Sequence, residues 1–209
     1  MKALLIVLMP VLALAGMVHP GIIVDVTALE RMRSNVANKA EPTFTAFQQV
    51  VNPPPAVPFH GRPVWLGNLS YEAHPVQLWN VNKSLSPGTR WLSNKEDSLA
   101  AYTHALLWFI TQDERHAMKS REIMDAWSAV LTQPVWAADG LEAAWAGTIW
   151  ARAAEIIKHT STVWPKARVA AFESMLEDIY LPLVNDGAST NGSIAFVMSE
   201  AALHIGVLT

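Results

Sequence analysis

From Ser93 to Leu208 apolar side chains recur at helical spacing, and every strand signal is weak; this periodicity most limits what the chain can fold into. Leu99, Tyr102, Leu106 and Phe109 fall at i, i+3, i+7 and i+10. Ser93-Asn94-Lys95-Glu96 ahead of them has the form of a capping box, in which Ser caps the backbone and Glu reaches back. A turn at Thr111–Glu114 leads to a partner helix from about Glu114 to Leu131, with Met118, Ile123, Trp127 and Val130 inward and Pro134 as its stop. A third helix spans about Gly140 to His159, with Leu141, Ala144, Trp145, Thr148, Ala151, Ala154 and Ile157 on its apolar stripe. Pro165 opens another through Phe172, Met175, Leu176 and Ile179, Pro182 ends it, and a last one covers Ile194 to Leu208. Toward the N-terminus, Thr27-Ala28-Leu29-Glu30 is a second capping-box pattern opening a helix to about Asn38, and a short helix follows Pro42. Long helices in pairs with short turns predict an all-α fold of stacked antiparallel hairpins, which a toroid and a solenoid share. The absence of a fixed sequence period argues against a regular solenoid.

Two segments depart from this grammar. Lys2 followed by the apolar run Ala3–Leu14 and Ala13-Leu14-Ala15 reads as a signal peptide over residues 1–15, leaving 16–209 as one exported domain. The run is short of the roughly 20 apolar residues a span needs, so no membrane association is expected after cleavage. Between Asn52 and Trp91, seven prolines forbid long helices, and Phe59, His60, Trp65, Tyr71, His74 and Trp79 are interspersed. A loop laid over a groove, with Trp65, His60 and His74 touching substrate, and a purely structural wrap both fit this composition.

Composition removes several function classes. A net charge of −3 with no basic cluster argues against nucleic acid. With no cysteine there is neither a disulfide framework nor a thiolate metal site. No His pair has metalloprotease spacing, no His–carboxylate cluster is visible along the chain, and no G-x-S-x-G elbow occurs; no metal or cofactor is expected. Glu142, Glu155 and Glu173 read as solvated helix faces. Arg152, Lys158 and Arg168 fit either surface pairing or contact with a polyanion. The nine Trp fit core packing, with sugar stacking as the other use of an indole face. His104, one turn from Trp108 and beside Tyr102 in sequence, reads either as a hydrogen-bonded core histidine or as a substrate contact with Tyr102.

Several stretches, in order along the chain, resemble the alginate-lyase domain family. They are His19-Pro20-Gly21 with Leu29-Glu30-Arg31-Met32-Arg33; Asp97–Trp108 followed by Ile110-Thr111 and Asp113-Glu114; Lys119–Ser128; Trp150–Thr160; Phe172–Leu176; and Tyr180–Leu183. Gln112 replaces the glycine of the family's turn. The resemblance implies an incomplete α/α toroid and a secreted, monomeric polysaccharide lyase, extracellular or periplasmic, that works without a cofactor. It would cleave a uronic-acid polysaccharide of the alginate or glucuronan type by β-elimination. In such lyases an Asn faces the substrate carboxylate, and Asn191, in Asn191-Gly192-Ser193, is the matching position. A neutral amide can donate to a carboxylate gaining enediolate character. Asn191 equally fits a helix N-cap, and the tripeptide is also a glycosylation sequon. Gly192-Ser193 and Ile194 depart from the family's His and Trp at these places, and the family's Arg and Tyr would lie past Thr209. The chain is thus expected to hold about half a family domain; the alternative function is a non-catalytic relative that at most binds polysaccharide.

Overall fold

A computed structural model describes residues 17–53, 65–76, 90–131, 140–186 and 191–209. The segment read as a signal peptide, together with His60 and Trp79, lies outside the described residues. The fold is all-helical, with no strand among the described residues. Its elements are α1 (Val26–Ala37), α2 (Thr43–Val51), α3 (Arg90–Thr111), α4 (Glu114–Val130), α5 (Gly140–Thr160), α6 (Lys166–Met175), a π-helical turn (Leu176–Tyr180), α7 (Leu181–Asp186) and α8 (Ser193–Leu208). No described helix is long and apolar enough to cross a membrane.

Cross-links between elements give their directions. Ser120 Oγ donates to the Ala101 carbonyl at 2.8 Å, and His104 meets His116, so α3 and α4 form an antiparallel hairpin. Trp150 Nε1 donates to Asn94 Oδ1 at 2.9 Å, and Trp108 Nε1 to Thr160 Oγ1 at 3.1 Å, so α5 runs parallel to α3. The chain then returns along α5 through α6, the π turn and α7: Lys158 pairs with Glu173 near one end, and Gly147 meets Tyr180 near the other. A Cβ on Gly147 would come within 3.2 Å of the Tyr180 ring, so this glycine is what lets the tyrosine lie against α5. Helix α5 is central, touching α3, α4, α7 and α8, and it is buried nearly all round because alanines at 143, 144, 146, 151, 153 and 154 allow close approach.

The helix starts differ from those read in the sequence. Asp25, not Thr27, is the N-cap of α1, accepting from the Ala28 N–H at 2.6 Å; an ionised carboxylate is the stronger acceptor for these orphan donors. Helix α3 begins at Arg90, three residues before Ser93. Pro182 does not end its helix but lies inside α7. The π turn just before it explains the tolerance: Leu181 N–H bonds the Leu176 carbonyl, and the widened turn contains the carbonyl that the Pro182 ring would meet in an α-helix. Met118 and Trp145, read as inward, are exposed, and Ala117, Ser120 and Met124 join Ile123 and Trp127 on the buried face of α4. The stripe Leu99, Tyr102 and Leu106 is only half-buried; Asn94, Asp97, Ala101, His104 and Ala105 form the deepest face of α3.

Gln112 sits at the α3–α4 turn with φ 59°, the left-handed conformation in which a Cβ is strained, and its amide bonds the Phe109 carbonyl at 2.8 Å. Gln112→Gly is expected to raise stability by about 0.5–1 kcal/mol, because relief of a left-handed side chain exceeds one part-buried hydrogen bond. Urea unfolding checks this; a loss would mean that the Phe109 bond outweighs the strain.

Candidate functional site

The deep face of α3 holds two polar anchors. Asn94 Oδ1 accepts from Trp150 Nε1 and from Tyr180 Oη, both at 2.9 Å. Asp97, without exposed surface, accepts from Tyr71 Oη at 2.6 Å, from Trp127 Nε1 at 2.6 Å and from the His74 backbone N–H at 2.7 Å. Burial pushes its carboxyl above the usual range, and the three donors pull it back. Lys119 Nζ adds a bond to the Tyr71 carbonyl at 3.1 Å. These contacts strap residues 71–74 onto the α3–α4 hairpin, so this part of the Pro-rich stretch is held by buried chemistry.

The residues singled out in the sequence do not converge on one site. His104 is fully buried, and its Nδ1 lies 2.7 Å from His116 Nδ1, so it has no surface to offer a substrate and matches the core reading. Burial first, and the His116 ring second, hold its pKa down at about 3. Tyr102, two residues earlier and therefore on another face of α3, is half-buried within electrostatic reach of Arg152. Burial raises its phenol above the usual range and Arg152 opposes this, so it stays protonated at neutral pH. Trp65 is 42% exposed, and its Nε1 bonds the Val50 carbonyl at 2.9 Å. The His74 side chain is exposed, while its backbone is tied to Asp97. Asn191 is exposed just ahead of α8; Gly192, with φ 80°, takes the N-cap position and no side chain caps the helix, so Asn191 is not the cap.

What the fold does assemble is a hollow of about 250 Å³ between α3, α5 and α8, lined by Lys95, Trp145, Thr148, Ile149, Arg152, Val197 and Glu200. Trp145 is 39% exposed, with Lys95 Nζ 5.2 Å from its ring centroid, a cation–π distance. Arg152 and Glu200 pair at 2.6 Å across the floor. His204 lies nearby, its pKa lowered by burial first and by Arg152 second. The signal was present but divided: Trp145, Thr148, Ile149 and Arg152 share one stripe of α5 at i, i+3, i+4 and i+7, whereas Lys95 and Glu200 come from distant helices. A second cavity, about 210 Å³ between α1, α2 and α3, is lined almost wholly by apolar side chains such as Met32, Phe47 and Leu106 and has no charged group to receive an anion.

Three further titratable groups meet at the end of α5. Glu155, read as a solvated face, is fully buried; His19 Nδ1 lies 2.5 Å from its Oε1, and His159 Nε2 lies 3.4 Å from its Oε2. This corrects the expectation that the chain holds no His–carboxylate cluster. Glu155 and His159 are one turn apart, but nothing in the sequence could join them to a histidine 136 residues away.

Comparison with family models, with curated proteins and with solved structures found no match to this chain.

Proposed function

We propose that this chain acts on a uronic-acid polysaccharide of the alginate or glucuronan type, gripping it at the Lys95–Trp145–Arg152 hollow, and that it is an exported lyase cleaving by β-elimination. One observation carries the grip: a half-exposed indole face flanked by an ammonium and a guanidinium in a hollow on the scale of a single sugar ring. A pyranose presents an apolar face for Trp145 to cover, and its C6 carboxylate suits a planar guanidinium fork. Arg152 would exchange part of its pairing with Glu200 for that carboxylate. The reaction itself rests on the family resemblance, in which Asn191 receives the carboxylate. Tyr102, protonated beside Arg152, has the chemistry of an acid for the leaving glycosidic oxygen rather than of a base.

The second reading, a non-catalytic binder, is favoured by the sealing of His104 in the core, which removes one candidate substrate contact. One pair of measurements separates the two on purified protein with alginate and glucuronan: ultraviolet absorbance of the unsaturated uronate, and equilibrium binding. Trp145→Ala is expected to weaken binding roughly tenfold, about 1.4 kcal/mol, with further weakening as salt rises. Product formation that Trp145→Ala suppresses supports the lyase; binding without product supports the binder. Neither binding nor product would sink both.

A further inference from the structure

We propose that His19, Glu155 and His159 form a binding site for a divalent late first-row metal ion of the zinc type, joining the segment ahead of α1 to the end of α5. Two imidazoles and one carboxylate are a ligand set that zinc accepts in three-ligand sites, with water in the fourth position. One ligand atom from each residue lies within 4.8 Å of the others.

The second observation is the state of Glu155. Its carboxylate is buried, yet Oε2 has no hydrogen-bond partner. A buried carboxylate oxygen without a hydrogen bond is costly, and a cation between it and His159 Nε2, 3.4 Å away, would remove that cost. The other oxygen is fixed: the Gly21 N–H donates to Oε1 at 3.1 Å, which sets the carboxylate's orientation from the protein side.

Distances favour the His159 half. With zinc bonds of about 2.0–2.2 Å, neighbouring tetrahedral ligand atoms stand about 3.3 Å apart. His159 Nε2 and Glu155 Oε2 are already 3.4 Å apart. His19 Nδ1 is closer, at 2.5 Å from Oε1, a hydrogen-bond distance. An ion shared by the two requires His19 to back away by somewhat under 1 Å. The two rings are stacked with centroids 4.4 Å apart, so each must also turn its nitrogen toward the shared ion. Both have room to do so: their side chains are 29% and 25% exposed, which also opens a path for the ion and its water. Lys158 is engaged elsewhere, with Glu173 at 2.7 Å and the Leu208 carbonyl at 2.8 Å. The negative end of the α5 dipole also favours a cation in this last turn.

The test uses the full chain, stripped with a chelator and dialysed, with zinc chloride alone as the probe in isothermal titration calorimetry. One equivalent is expected to bind and to raise the melting temperature, with magnesium inert. Cobalt should give the visible bands of a low-symmetry, near-tetrahedral site. His19→Ala and His159→Ala, both at partly exposed positions and checked for native circular dichroism, should each weaken zinc binding at least about tenfold. His116→Ala, which alters the close histidine pair of α3 and α4, should leave it unchanged. No zinc binding by the wild-type chain, or binding that survives His159→Ala or is lost in His116→Ala, would overturn the assignment. No polysaccharide enters these measurements, so their outcome is independent of the lyase reading.

Discussion

Asp97→Ala is expected to destabilise the fold by about 3–5 kcal/mol, the largest effect of any single substitution considered for this chain. The carboxylate is the common acceptor for Tyr71 Oη, Trp127 Nε1 and the His74 N–H. Alanine strands the indole N–H in the core and releases residues 71–74 from the α3–α4 hairpin. Asp97→Asn keeps an accepting oxygen but turns an NH2 toward one of the three donors, so its loss should be about half as large. Urea unfolding followed by tryptophan fluorescence measures both. A loss under about 1 kcal/mol for the alanine variant would mean that water replaces Asp97 at these donors.

Lowering the pH from 7 to 5 should remove about 2 kcal/mol through His104 alone. Its pKa is about 3 in the fold, against an ordinary value of 6.5. The unfolded chain therefore takes up the proton first as the medium acidifies. The stability from keeping His104 neutral is complete above pH 6.5 and is lost as pH falls toward 3. At pH 5 the loss is about 1.5 pH units times about 1.4 kcal/mol. The groups facing His104 are His116, whose pKa burial also lowers, and Lys119, whose charge adds to the depression. Asp97 works in the opposite sense, since its raised carboxyl disfavours the fold as pH climbs through its folded value. The His104→Gln variant isolates the term: its urea midpoint should vary less between pH 5 and 7 than that of the wild type. Parallel profiles would show that His104 does not carry the acid sensitivity.

The sequence made the helices legible because their signal is local. Apolar spacing and the prolines located α4, α5 and α8 to within a residue or two. The deep face of α3 was not legible, because it reverses the usual sign: Asn94, Asp97 and His104 are inside and Leu99 and Leu106 are half out. Trp127, Trp150, Tyr71 and Tyr180 bring N–H and O–H groups that need acceptors, and only polar residues on α3 can supply them. An apolar-periodicity reading cannot anticipate a demand set by residues 26 to 86 positions away. The hollow was hidden similarly. Trp145 lies on the apolar stripe of α5 yet is left open by the neighbouring helices, which bring Lys95 and Glu200 to its rim, while Thr148 beside it is buried. Glu155 looked like a surface acid because Lys158 and His159 follow it closely, yet α5 is enclosed on nearly every side.

The π turn at Leu176–Tyr180 makes the return limb sensitive to the length of the chain rather than to its chemistry. Such a turn holds about one residue more than an α-helical turn. Excising the exposed Glu177 would let the limb wind as a continuous α-helix, with the residues beyond it in nearly their present phase. Val184 would stay on its buried face, but the Pro182 ring would face a carbonyl that the wider turn currently keeps clear of it. A substitution at Glu177 would leave the wide turn intact, so the position should accept many residue types and still reject a deletion.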